Sequence, residues 1–540
     1  MTTCAPCGGS LKPQAKFCSQ CGAKVGDSAS QVGTGSAASA AKRLQVSASA
    51  RTAIGSTLFV LPSHFAGELT RLLDQHVASP LAMVADADSA QLQIKARQAF
   101  KRHHTTGSLK YVCLLGNWSE VAPFRVRNPS SACSSSDPFC LTDALYGCIT
   151  EYVADDIFTA IPSVPVGRIP VLDSAVVAAA LLEAPRLLDP AQAFAFGVTA
   201  ECWSEATQAI VSRFTDTPSK AKLISGPQGR ALATPAVLAS PGWAEDDLRH
   251  AVSLSQIEPG AVLLFNVHGS PDETGWVGEG EDGYVPIMDP FTIGQFNNAV
   301  MISEACYGGA LGYDEPSIVE RFFSNGGKAF VGCSVIAWGT PNDSLCGADL
   351  VALYFLKALR QGRPLGEALT LAKLETLQGD PMCDPVAQKT ALSFNLYGAP
   401  WHSLKAALAA SVLPQREARG SMLDRVRNRR SGEGDDQSDS LAELRQRYQN
   451  RLPENSRRFM IEHNDALRRI SGFLDIQKIE ALLAQWAVNL EDCELESLDT
   501  GEDFGFVLFG KSNKHSGPTQ LFQLVMDSAG AMRKTMTTKG

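Results

Sequence analysis

No uncharged apolar stretch in the 540 residues approaches the roughly 18 positions that a membrane-spanning helix needs. The longest apolar run, around Val176–Leu182, falls far short of that. The start of the chain lacks a basic n-region, an apolar h-region and a small-residue cleavage site, which together make a secretory leader. The expectation is a soluble, cytoplasmic protein with no membrane partner. Neither sign of charge dominates: the formal net charge is −9, too modest for wholesale nucleic-acid binding. The cysteine-rich first residues hold a single aromatic, Phe17, and few basic residues, whereas nucleic-acid surfaces combine several of each. A nucleic-acid partner is therefore not expected.

A disulfide framework is also missing. Fourteen cysteines in a long chain without a leader point to metal binding or catalysis. Cys113, Cys148, Cys202, Cys333 and Cys346 lie in apolar or helical runs, where a thiol behaves as a small hydrophobe.

Four other cysteines are grouped. Cys4-Ala-Pro-Cys7-Gly and Cys18-Ser-Gln-Cys21-Gly are two C-x-x-C knuckles, each followed by glycine. Each knuckle aims two thiolates at one ion, and four sulfurs close a tetrahedral Zn²⁺ shell with no open position, so the zinc is read as structural. The pattern resembles the short zinc ribbons at the ends of many bacterial proteins. Residues 26–52 are dominated by Ser, Ala, Gly, Gln and Thr, too polar and small to bury a core, and read as a flexible linker.

From residue 53 to 412 short β-rich runs alternate with helical stretches. The runs are Ser56–Leu61, Leu81–Ala85, Lys110–Leu115, Val164–Val171, Phe194–Val198, Ala261–Val267, Ala299–Ser303 and Lys328–Cys333. Continuous Val, Ile, Leu and Phe mean strands covered on both faces, as in a parallel sheet. Helices are expected over Gly67–His76, Asp173–Leu188, Glu245–Leu254, Leu345–Leu359 and Leu365–Gln378. The class is α/β, a mostly parallel sheet flanked by helices and divisible into two lobes. Residues 413–440 form a charged linker that includes Arg425, Arg427, Arg429 and Arg430. Residues 441–540 read as a small α+β domain, with helices over Leu441–Arg451, Arg457–Ile470 and Lys478–Leu490 and strands over Gly505–Phe509 and Gln520–Met526.

Two runs end in residues that carry chemistry. Ala261–Val267 leads into His268-Gly269, and Ala299–Ser303 leads into Glu304-Ala-Cys306-Tyr-Gly-Gly309. The carboxyl ends of neighbouring parallel strands form the crevice where open α/β sheets bind ligands. There an imidazole can hold a thiol as its thiolate and later protonate a leaving amine. Glycine beside each residue lets a peptide backbone approach and lets N–H groups turn toward a developing oxyanion.

A buried strand ending in His-Gly, followed by one ending in Glu-Ala-Cys, resembles the catalytic signature of the caspase-like superfamily. Three further stretches resemble its gingipain branch: Val166-Gly167-Arg168-Ile169-Pro170, Asp143-Ala-Leu-Tyr146 and Asn395-Leu-Tyr-Gly398-Ala-Pro400. The likeness runs over roughly residues 55–405 and leaves both ends of the chain uncovered. It implies a cysteine endopeptidase acting on proteins or peptides, with His268 and Cys306 as the dyad and the N–H groups of Gly269 and Cys306 as oxyanion donors. No cofactor is implied for catalysis, and relatives that wait for cleavage or for an activator imply an activator protein as a further partner.

Gingipain relatives cleave after basic residues, and an acid in the S1 pocket would pair with a P1 Arg or Lys. Asp173 sits where the arginine-specific members carry theirs, and it is equally well placed to cap the helix that follows. Asp272 and Glu273 are weaker candidates, and Trp338 resembles an aromatic wall of that pocket. Where those relatives orient the histidine with a glutamate, this chain has Ser163, and Asp155 or Asp156 are the substitutes on offer. A basic preference would make the arginines within residues 416–451 self-processing sites, in a segment of the kind where nicking concentrates. The rival reading is a catalytically silent caspase-like scaffold that binds partner proteins through the ribbon and the C-terminal domain.

Overall fold

The computed structural model describes residues 48–76, 79–130, 137–153, 157–185, 195–214, 222–223, 237–240, 262–271, 275–280, 283–288, most of 290–312, 316–379 and 385–404. Toward the ends it describes 2–3, 10–11, 457–460, 493–499, 504–511, 521–527 and 532–538, with a few single positions besides. Contacts divide the chain into two units, Met1–Gln45 and Val46–Gly540. In the first, Thr2–Thr3 pairs antiparallel with Ser10–Leu11. Cys4, Cys7, Cys18 and Cys21 lie outside the described residues, as do Asp155, Asp156, Asp272, Glu273 and the expected helix Glu245–Leu254.

The second unit is built on one sheet of eleven described strands. Four strands carry the argument: β1 (Val262–Asn266), β2 (Val300–Ser303), β3 (Ala329–Cys333) and, further along the chain, β5 (Phe394–Gly398). Every side chain along these four strands is buried. That is why their sequences are continuous apolar runs and not alternating ones.

The sheet consists of two parallel halves that run in opposite directions. Ala195–Ala200, β1, β2 and β3 are parallel to one another. β3 then pairs antiparallel with β5, with Ala329 opposite Gly398 and Cys333 opposite Phe394. β5 is parallel to Val166–Ile169, which leads on to Tyr111–Leu115, Thr57–Pro62 and Ala82–Asp86, all parallel. The two expected lobes are thus halves of a continuous mixed α/β sheet. The carboxyl ends of one half lie on the rim opposite those of the other.

A buried polar joint ties β5 to Val166–Ile169, the strand next beyond the seam. Arg168 donates from Nε and Nη2 to the two oxygens of Asp143 at 2.7 and 2.6 Å, and from Nη1 to the carbonyls of Gly116 and Asn117. Asn395 accepts from the Asp143 N–H at 2.9 Å and donates to the Leu141 carbonyl at 3.0 Å. The three stretches outside the dyad that resemble gingipains therefore meet at one structural node. A bidentate, hydrogen-bonded guanidinium is the form in which a buried charge is tolerated.

Helices cover both faces. Ala348–Arg360 and Leu365–Gly379 form a hairpin turned at Gln361–Arg363, where Gly362 has φ 76° and Pro364 follows. The longest described helix in the Thr57–Pro62 half, Ser89–His104, is capped by Asp88, which accepts from the N–H groups of Ala90 and Gln91. The sequence reading has no helix there. Its buried positions, Leu92, Ala96, Ala99 and Phe100, are few and spread among charged residues, and Ile94 faces solvent.

The C-terminal part differs from expectation. Arg457–Met460 is a strand, not the start of a helix. It joins Glu494–Asp499, Phe504–Lys511, Leu521–Asp527 and β6 (Met532–Thr538) in an antiparallel sheet. That sheet also includes β4 (Trp338–Gly339) from the preceding domain, with Trp338 opposite Thr538 and Gly339 opposite Thr537. Cross-strand pairing decided against the helical spacing of residues 457–460, since local propensity is weak against tertiary packing. The expected helix Leu441–Arg451 lies outside the described residues, and of Lys478–Leu490 only single positions are described.

Candidate functional site

The register of β1 and β2 sets His268 and Cys306 at matching positions on neighbouring stretches of the chain. Phe265 pairs with Ser303, and His268 and Cys306 each follow by three positions. The Glu304 N–H continues the ladder by donating to the Phe265 carbonyl at 2.8 Å. The backbones then stay close. A Cβ added to Gly269 would lie 2.0 Å from the Cys306 carbonyl oxygen, so only glycine fits beside the thiol-bearing residue.

After Cys306 the chain turns sharply. Tyr307 has φ 55° and donates its N–H to the Val335 carbonyl at 3.0 Å, while Gly309 donates to Cys333 at 2.8 Å. A Cβ on Gly309 would strike the Gly332 carbonyl at 2.5 Å. The turn is thus pressed against the end of β3. There the Ala337 N–H donates to Cys306 Sγ at 3.1 Å, and Sγ can donate back to the Ala337 carbonyl at 3.5 Å.

Two residues absent from the sequence reading belong to this corner. Asp137 is buried and bridges the turn: one oxygen accepts from the Tyr307 hydroxyl at 2.6 Å, the other from the Ile336 N–H at 2.9 Å. Burial and the bond to Asp137 push the Tyr307 hydroxyl up in pKa. Trp203 follows the neighbouring strand Ala195–Ala200 and lies against the His268 ring, with centroids 4.4 Å apart and planes at 49°. Its position is supported by Thr207, which donates to the Trp203 carbonyl at 3.0 Å and accepts from Asn266 Nδ2 at 2.9 Å. A tryptophan at a third strand tip was the available signal for Trp203. Nothing in the sequence ties Asp137 to the turn.

The other candidates are placed differently. Asp173 lies beyond Val166–Ile169, at the rim opposite His268 and Cys306, because that strand is antiparallel to β3. Its exposed carboxylate caps helix Ser174–Leu182, accepting from the N–H groups of Ala175 and Val176 at 2.9 and 3.0 Å. That helix faces the amino end of β3, where Lys328 pairs with Glu183 at 2.8 Å. Of the two readings of Asp173, the structure shows the cap, and it does not bring the residue to the dyad. Trp338 is at the dyad's end of the sheet, next to Ala337, but it is buried. It packs edge-on to Phe509 with centroids 6.3 Å apart in a cluster with Val507, Val525 and Met536 of the C-terminal sheet. Ser163 donates its N–H to the Gly147 carbonyl.

The expected open crevice is closed. Cys306 is 1% and His268 0% exposed. Burial pushes the Cys306 thiol up to about 12, against the lowering effects of the Ala337 N–H and of the Lys389 charge. The sulfur is thus held as a neutral thiol in this arrangement. The thiols of Cys113, Cys140 and Cys333 are also pushed up by burial, and none of the described cysteines is in a disulfide. Cys113, Cys148, Cys333 and Cys346 are buried as expected, and Cys202 is half-buried. Among the described residues no group of His, Cys, Asp or Glu is arranged to hold a metal ion, and no helix is long and apolar enough to cross a membrane.

Comparison with known proteins adds one informative match. No curated protein matches the chain. A solved chain described as "Structure of Protease" aligns at 11% identity over 64% of this chain and 78% of that one, with a TM-score of 0.42, too distant to argue from. Residues 240–405, which contain His268, Cys306, Trp338 and Asn395, match the model of peptidase family C25. That match supports a gingipain-type cysteine peptidase, whose substrates are proteins or peptides.

Proposed function

We propose that this protein is a cysteine endopeptidase in which Cys306 is the nucleophile and His268 its proton-transfer partner. The observation that carries the reading is the shared offset of the two residues from the Phe265–Ser303 pair. In the reaction Cys306 Sγ attacks the scissile carbonyl, and the imidazole takes the thiol proton and delivers it to the leaving amine. Water then releases the acyl group. The N–H groups of Gly269 and Cys306 are the proposed oxyanion donors, and removing one such donor costs about a hundredfold to a thousandfold in rate. Asp137 supports the chemistry by fixing the turn on both sides of the sulfur.

A preference for Arg or Lys at P1, and self-processing at the arginines of residues 416–451, are part of the proposal and rest on the family match alone. The four N-terminal cysteines are proposed to hold a structural zinc ion, and the described cysteines, none of them in a disulfide, fit a reducing, cytoplasmic setting. The test is a panel of fluorogenic peptides with Arg, Lys, Asp or Leu at P1, run beside Cys306→Ala. Hydrolysis confined to Arg and Lys peptides and abolished in the variant is the expected result. Activity surviving in Cys306→Ala would overturn the assignment of the nucleophile, and a preference for Asp would overturn the proposed choice of basic P1 residues.

A further inference from the structure

The peptidase reading leaves the last strand of the chain unexplained. β6 is not packed at random on the preceding domain. It extends the sheet edge at β4, one residue beyond Ala337, whose N–H donates to Cys306 Sγ. Thr537 of the same strand accepts from Trp203 Nε1 at 3.0 Å, and Trp203 is the residue that lies on His268. One two-residue stretch, Thr537–Thr538, thus touches the tryptophan that lies on His268 and pairs with the residue next to the one bonded to Cys306. Thr537 and Thr538 are buried, as is Met536.

Peptidases bind their substrates as extended segments, and an extended segment adds to an exposed sheet edge through main-chain hydrogen bonds. The edge nearest the sulfur is β4, and an antiparallel strand already lies there. Resting on the peptidase reading, we propose that β6 is a built-in occupant of the substrate-pairing edge, holding the enzyme latent until the C-terminal sheet is displaced. The alternative role, a purely structural clasp, would leave access to the sulfur unchanged on removal of β6.

Two further observations agree. Both reactive side chains are buried where a crevice is needed, and the sulfur is kept protonated there. The occupant belongs to the same chain, so its local concentration is of the millimolar order typical of tethered segments. A cut in the charged stretch 413–440 would turn this contact into a bimolecular one that weakens on dilution. That stretch is the one whose arginines the proposed P1 preference would select, so processing and release would be the same event.

The test reads access to the sulfur separately from peptide hydrolysis. A recognition sequence for an unrelated site-specific protease is inserted within residues 413–440 of the full chain. The cut and uncut proteins are diluted and treated with iodoacetamide, and alkylation of Cys306 is followed by peptide-mapped mass spectrometry. In parallel, Thr537→Glu in the uncut chain places a charge against Trp203. Alkylation at Cys306 should be at least tenfold faster in the cut chain and in Thr537→Glu, with P1-Arg or P1-Lys peptides hydrolysed faster in step. Alkylation equally fast in intact and cut chains, with the two fragments separated by gel filtration, would overturn the proposal. Should Thr537→Glu fail to fold, the cut chain decides alone; should the fragments stay associated, Thr537→Glu decides. Faster alkylation without hydrolysis of any peptide would keep the occupant and remove the peptidase reading. Hydrolysis by the intact chain as fast as by the cut chain would do the reverse.

Discussion

A tyrosine in the left-handed backbone region follows the proposed nucleophile, at a conformational cost of about 1–2 kcal/mol for an L-residue. Tyr307 is kept there by its N–H on Val335 and its hydroxyl on Asp137. Asp137 also receives the Ile336 N–H, so a single carboxylate ties both sides of the sulfur's surroundings together. Replacing it with asparagine keeps the shape but offers only one accepting oxygen, which turns an NH₂ group toward the other donor. Asp137→Asn should therefore lower kcat by about tenfold to a hundredfold, following the loss of a charged hydrogen bond of about 1.5–3 kcal/mol. KM should change little, and the melting temperature should fall modestly with the lost bond. Steady-state kinetics beside a melting curve checks this, and a fall in stability with unchanged kcat would show that Asp137 is structural only. His268 and Cys306 were legible because strand-end motifs are local in sequence. Asp137 was not, since it stands 170 positions from Tyr307 and only folding brings the two together.

At the scale of elements, the seam between β3 and β5 decides where every loop emerges. The runs of Val, Ile and Leu marked buried strands correctly, because burial on both faces leaves that pattern whichever way a strand runs. For the same reason the pattern does not record direction. The sequence reading offered Asp173 as a pocket acid by its resemblance to arginine-specific relatives, and the antiparallel step at the seam sends it to the other rim. One strand beyond that seam, the Asp143–Arg168 pair lies in near-complete burial, with side chains 4% and 0% exposed. Asp143→Ala would leave the Arg168 charge uncompensated and should cost about 3–5 kcal/mol, read as a lower denaturant midpoint with an unchanged slope. A loss below about 1 kcal/mol would mean that water reaches the guanidinium.

For the whole molecule, the cysteine knuckles belong to one unit, Met1–Gln45, and His268 and Cys306 to the other, Val46–Gly540. Metal and catalysis should therefore be separable. The purified chain is expected to carry about one zinc ion, the stoichiometry of a closed four-cysteine shell, measured by elemental analysis. Cys4→Ser with Cys7→Ser should release it and leave hydrolysis by the remainder within about twofold, because a shell without an open position takes no part in chemistry. Loss of hydrolysis along with the metal would show that the ion supports the peptidase unit.

The amino-acid sequence by itself determined the buried strands and the residues at their tips, since each depends on neighbours a few positions away. Only the tertiary structure decided the opposed directions of the two half-sheets, the joining of Asp143, Arg168 and Asn395, and the arrival of Thr537 beside Trp203. Strand direction and edge pairing are set by contacts between segments far apart in the chain. The packing that fixes them leaves no periodic trace in either segment alone.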